Sequence, residues 1–154
     1  MMSLSSDVIS ALAGKTLATA ESCTGGGIGA ALTAVPGSSA VYVGGVISYT
    51  NAVKEKILGV PGEILDRCGA VSAETAAAMA SGVRKLLDTD IAISVTGLAG
   101  PGGDEFGNPV GTVFLGYEDA CHREVREFHF SGNREEVRQQ AMEATLDLIL
   151  RYNP

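Results

Sequence analysis

Tryptophan is absent from the 154 residues, and phenylalanine and tyrosine number four each. So few aromatic side chains leave a core of small aliphatics, which suits helices packed closely on a sheet. Cysteine is scarce as well. Cys23, Cys68 and Cys121 form no CxxC pair and no zinc-type spacing. Their odd number excludes a fully paired disulfide scaffold and fits a reduced, cytoplasmic compartment. Positive charge is short too: 11 Lys and Arg stand against 18 Asp and Glu, a net charge of −7. An acidic surface argues against nucleic acid or an anionic membrane as partner. No apolar run reaches the about 18 residues that a membrane span needs. Met1–Asp7 offers neither a basic region nor an apolar core, so no signal peptide is expected. HExxH, EF-hand and paired-carboxylate spacings are missing, which argues against a metal, and neither GxGxxG nor a P-loop occurs. No cofactor is expected.

Glycine, at 20 residues, and the 45% hydrophobic content are what the chain has in quantity. They exclude disorder and predict one domain over residues 1–154 with its own core. In order, the patterns predict a helix over 7–13 capped by Ser5–Asp7, a strand over 15–20, and a helix from Thr24 or Gly25 to Val35. A strand over 41–49 follows, broken near Gly44 and Gly45, then a short helix capped by Asn51 and a helical turn over 63–67. Next come a long helix over 76–87 behind Ser72, a buried strand over 90–95, antiparallel strands over 110–117 and 124–130, and a last helix over 134–150. Early alternation with a late hairpin predicts a three-layer α/β/α sandwich with a mixed, mainly parallel sheet.

Ala18–Gly27 (ATAESCTGGG) is the stretch on which the rest turns. A strand stops at small polar side chains and three glycines, and a helix begins. Such a turn presents backbone N–H groups to an anion or oxyanion and places Ser22, Cys23 and Thr24 at its lip. Ser22 is a nucleophile if a base takes its proton, and otherwise a helix cap. Cys23 is the competing nucleophile, or a small buried side chain. Alternation along the strand keeps the two from facing one site. His122 falls in a hairpin turn and His129 on a late strand, so neither suits a triad. Lys54, one turn into the helix after Tyr49, is a base if burial lowers its pKa, and an exposed helix lysine if not. The glycine-rich loop Thr96–Gly103 leaves another strand as a second ligand surface. Arg134 and Arg138 lie one helical turn apart, as a phosphate clamp or as solvated charges.

Five blocks in order carry a resemblance: AESCTGG (20–26), SYTNAVK (48–54), SVTGLAGPGG (94–103), NPVGTV (108–113) and FSGNREEVRQQA (130–141). Together they resemble the C-terminal domain of CinA, whose stand-alone form is nicotinamide-nucleotide amidase. The resemblance implies hydrolysis of nicotinamide mononucleotide to nicotinate mononucleotide and ammonia. It implies Ser22, Lys54 and Tyr49 as the catalytic set, without metal. It leaves Thr24, Gly25, Gly26, Asn51, Thr96, Gly97, Gly100 and Arg138 as substrate-binding candidates. The chain departs at Asn108, where the family often has lysine. A non-catalytic nucleotide-binding or interaction module of the same family is the alternative. A homo-oligomer is expected, a dimer by preference, with the 76–87 helix as a candidate contact.

Overall fold

The computed structural model describes residues 1–154. Five strands form one sheet: β1 (Leu17–Glu21), β2 (Tyr42–Ile47), β3 (Ile91–Gly97), β4 (Thr112–Glu118) and β5 (Arg123–His129), in the order β2-β1-β3-β4-β5. β1 pairs parallel with both β2 and β3, whereas β4 runs antiparallel to β3 and to β5. All strands but β4 therefore share one direction, the expected mixed and mainly parallel sheet.

Helices cover both faces. α1 (Met2–Ala11), α2 (Gly27–Thr33) and α6 (Arg134–Tyr152) lie on one side, and α4 (Gly62–Cys68) and α5 (Ala73–Leu87) on the other. Strand alternation sorts the side chains between two cores. Leu17, Ile91, Ile93 and Val95 enter the larger core with Ile28, Leu32 and Val137. Ala18, Ala20 and Ala92 enter the smaller one with Met79 and Val83 of α5. Alanines on that face let α5 approach closely, which is where the low aromatic content shows its use.

Helix starts depart most from the sequence pattern. α1 begins at Met2, and Ser5 lies buried inside it instead of capping it. α2 begins only at Gly27, because Gly25 and Gly26 hold φ of +58° and +99°, outside a right-handed helix. α3 (Asn51–Lys56) is capped by Thr50, whose Oγ1 accepts from the Val53 N–H at 3.3 Å, and not by Asn51. α6 carries a capping box: Asn133 accepts from the Glu136 N–H, and the Glu136 carboxylate returns to the Asn133 N–H. No helix is long and apolar enough to cross a membrane.

Candidate active site

β1, β2 and β3 are parallel, so Ser22, the 48–50 segment and the 97–103 loop all leave the same, carboxyl edge of the sheet. That convergence is the usual place for a ligand in an α/β sheet. Ser22 prolongs β1, its N–H donating to the Val95 carbonyl at 2.9 Å. It falls on the same face as Ala18 and Ala20, toward α5. Cys23 falls on the opposite face and packs into the larger core. Burial pushes the Cys23 thiol up to about 11, so it is no thiolate near neutral pH.

Lys54 is 1% exposed and sits beside Ser22. The Thr50 cap fixes the first turn of α3, from which the long side chain reaches back under the end of β2. Its Nζ lies 3.0 Å from Ser22 Oγ, 2.6 Å from the Ser48 carbonyl oxygen and 3.3 Å from the Tyr49 carbonyl oxygen. No carboxylate pairs with it. Burial without a counter-ion lowers its pKa from 10.5 to about 8. The geometry suits a neutral amine. Two N–H bonds serve the two carbonyls, and the lone pair is left for the Ser22 hydroxyl proton. As an ammonium, Nζ donates to Ser22 Oγ instead.

The pair opens into a cleft of about 350 Å³. Thr96, Gly97 and Gly100 line its far wall, with Arg134 at the rim. Thr96 is buried and its hydroxyl donates to the Ala70 carbonyl at 2.8 Å, tying β3 to the segment before α5. Gly100 holds φ of +93°, and a Cβ there would come within 2.7 Å of Val110 Cγ1. Asn108 donates to the Val71 carbonyl at 3.1 Å and to Asp104 at 2.8 Å. It thus braces the cleft wall from behind and does not face a ligand. A larger cavity of about 480 Å³ lies between α5 and β5, but its Glu118 and Arg123 are paired to each other at 3.0 Å. Both histidines are held by carboxylates on the β4–β5 hairpin, His122 hydrogen-bonded to Asp119 and His129 to Glu127, and neither lines the cleft.

Several expected binding residues lie elsewhere. Thr24, Gly25 and Gly26 do not line the cleft. Thr24 is wholly buried, its Oγ1 donating to Glu21 at 2.6 Å, and the Gly25 N–H is taken by the Ser22 carbonyl. The start of α2 is not free for an anion either: the Glu21 carboxylate accepts from the N–H groups of Ile28 and Gly29. Asn51 is exposed outside the cleft. Arg138 lies behind the turn, donating to the carbonyls of Cys23 and Thr24 at 3.0 and 3.1 Å. Arg134 is the arginine on the cleft, donating to the Gly100 carbonyl at 2.7 Å and the Tyr49 phenol oxygen at 3.2 Å. The Tyr49 phenol is therefore a rim group, and its carbonyl is the part that meets Lys54.

Backbone groups are what sequence reasoning missed: the Ser48 and Tyr49 carbonyls, and the N–H groups of Cys23, Ala99 and Gly100. Those three N–H groups belong to cleft-lining residues, and none of them donates to another residue of the chain. Only the S-Y-x-N-x-x-K spacing signalled the carbonyls, since it folds 48–49 back over the lysine.

A serine and a buried, unpaired lysine at the carboxyl edge of a mixed three-layer sheet define the class: an α/β domain with a Ser–Lys cleft. The chain belongs to the CinA C-terminal domain family, matching it over residues 2–153. It is 52% identical over 153 residues to a CinA-like protein of Parasynechococcus marenigrum, covering 97% of this chain and 36% of that protein. To a CinA-like protein of Endomicrobium trichonymphae it is 49% identical over 137 residues, 89% of this chain and 32% of that one. The chain thus spans about a third of the length of the curated relatives it matches. Among solved structures it is similar to the competence damage-inducible protein A of Klebsiella pneumoniae, with a TM-score of 0.95 and 38% identity over 97% of this chain and 94% of that one. The competence/damage inducible protein CihA of Agrobacterium tumefaciens matches equally, with a TM-score of 0.95 and 38% identity over 99% and 95% of the two chains.

Proposed function

We propose that the domain is an amidohydrolase that converts nicotinamide mononucleotide and water to nicotinate mononucleotide and ammonia. One observation carries this reading: Lys54 Nζ, buried and without a counter-ion, lies 3.0 Å from Ser22 Oγ. Neutral Lys54 takes the Ser22 proton as Oγ attacks the carboxamide carbon. The tetrahedral oxyanion is held by unpartnered N–H groups at the cleft, those of Cys23, Ala99 and Gly100. Lys54 then gives its proton to the departing ammonia, leaving a Ser22 acyl ester. Water, deprotonated by the same amine, hydrolyses the ester and restores Ser22. Tyr49 supplies a carbonyl that orients Lys54, and its phenol positions Arg134. Arg134, the cleft's arginine, takes the phosphate of the mononucleotide.

The test is ammonia release from the mononucleotide by wild type, Ser22→Ala and Lys54→Met. Release by wild type and its loss in both variants is the expected result. Undiminished release by Ser22→Ala removes the mechanism. Binding without release by wild type makes the domain a nucleotide-binding module instead.

A further inference from the structure

We infer that Glu21 and Arg138 are positioning residues that grip the Ser22 turn from opposite sides, so that the pair sets where the nucleophile stands. This rests on the Ser–Lys reading above. The two charges hold groups of opposite polarity in one short segment. Glu21 collects donors: the Thr24 hydroxyl at 2.6 Å, the Ile28 N–H at 2.9 Å and the Gly29 N–H at 3.0 Å. Arg138, reaching across from α6, collects acceptors: the Cys23 carbonyl at 3.0 Å and the Thr24 carbonyl at 3.1 Å. Thr24 is held by both, its hydroxyl by the anion and its carbonyl by the cation. Glu21 is itself 3% exposed, and Arg138 does not line the cleft.

The turn needs such ties. Gly25 and Gly26 sit in left-handed conformations and carry no side chain to pack, so the segment is soft by itself. Ser22 Oγ must nevertheless stay within hydrogen-bond reach of Lys54 Nζ. An error of about 1 Å in such a pair costs about 100-fold in rate. The charges also offset each other: they act on the Cys23 thiol in opposite senses. Removal of Arg138 alone therefore loosens the turn and leaves the Glu21 charge uncompensated beside Cys23.

Cys23 lies inside the grip and reports on it without any substrate. It is buried, whereas Cys121 is exposed and serves as an internal standard. The experiment compares wild type, Arg138→Met, Arg138→Lys and Glu21→Gln. Labelling by dithionitrobenzoate is followed cysteine by cysteine through peptide mass spectrometry. Cys23 is expected to react about tenfold faster in Arg138→Met and in Glu21→Gln, with Cys121 unchanged and Arg138→Lys in between. Unchanged Cys23 labelling in both overturns the proposal. In parallel, ammonia release from nicotinamide mononucleotide should lose about 100-fold in kcat in Arg138→Met, with KM within about threefold and partial recovery in Arg138→Lys. A raised KM with kcat kept makes Arg138 a substrate ligand and overturns the proposal as well. Where Arg138→Met fails to fold by circular dichroism, Arg138→Lys and Glu21→Gln decide it. If wild type releases no ammonia, the amidase reading falls, and thiol labelling still decides the grip.

Discussion

The turn after β1 and the loop after β3 leave the same edge of the sheet, both rich in glycine, and they use that glycine differently. In the first, charged side chains tie the backbone down from both sides. Glu21 takes the N–H groups of α2, Arg138 takes two carbonyls, and the Gly25 N–H closes back on Ser22. In the second, Ala99 and Gly100 keep unpartnered N–H groups on the cleft. The first is tied down around Ser22, and the second leaves N–H groups of cleft-lining residues without a partner. The arginines of α6 divide along the same line, Arg138 behind the turn and Arg134 on the rim.

The largest effects belong to the rigid side. Ser22→Ala should lower kcat/KM for ammonia release by about 10³-fold or more. Lys54→Met should lower it by about 10²–10⁴-fold. With a Lys54 pKa of about 8, the wild-type rate should climb roughly tenfold per pH unit up to pH 8 and then level off. Lys54→Met should remove that inflection. The same pKa bears on stability. Unfolded lysine titrates near 10.5 and folded Lys54 near 8, so the unfolded chain binds more protons between those values. Wild-type stability from this group thus rises from pH 8 to 10.5, and below pH 8 the burial penalty is fully present. Chemical denaturation should find Lys54→Met gaining on wild type by on the order of 3 kcal/mol at pH 7 relative to pH 10.5, a difference from which any pH-independent loss of packing cancels.

The ligand-receiving side should yield smaller, KM-type effects. Arg134→Met should raise KM about 10-fold to 100-fold and leave kcat within about threefold, the reverse of Arg138→Met. Identical behaviour of the two variants would erase the distinction between turn and loop. Gly100→Ala forces a Cβ into a left-handed conformation 2.7 Å from Val110. It should raise KM about tenfold and lower stability by about 1 kcal/mol or more, read by steady-state kinetics and thermal unfolding. Smallest of all is Asn51→Ala. Exposed outside the cleft, it should change KM by less than about twofold. A large rise would restore Asn51 to the substrate contacts that its motif suggested.

These contrasts also mark how far the sequence reached. Strand alternation was enough to separate Ser22 from Cys23, because a period of two leaves no other arrangement. The helical step from Tyr49 to Lys54 was legible for the same local reason. The fate of the glycine turn was not. The turn read as an anion site at the start of a helix, yet Glu21, the last strand residue, folds back and takes the N–H groups of Ile28 and Gly29 there. Alternation alone put Glu21 on the α2 face with Leu17 and Thr19, so a signal existed. Arg134 and Arg138 share a spacing that puts both on one helix face, but that face spans two neighbours, the cleft rim and the turn. Which arginine meets which is decided by how α6 crosses the sheet, a tertiary fact with no local trace. The cap of α3 shifted from Asn51 to Thr50 because both are good caps and packing chose between them.

Catalysis by Lys54 depends on its losing a proton near pH 8, well below an ordinary lysine, to give the neutral base. Lysine labelled with carbon-13 at Cε, titrated by NMR and assigned with Lys54→Met, measures this directly. One resonance with a midpoint near pH 8, absent from the variant, is the expected result. A Lys54 midpoint at the ordinary value near 10.5 would contradict it.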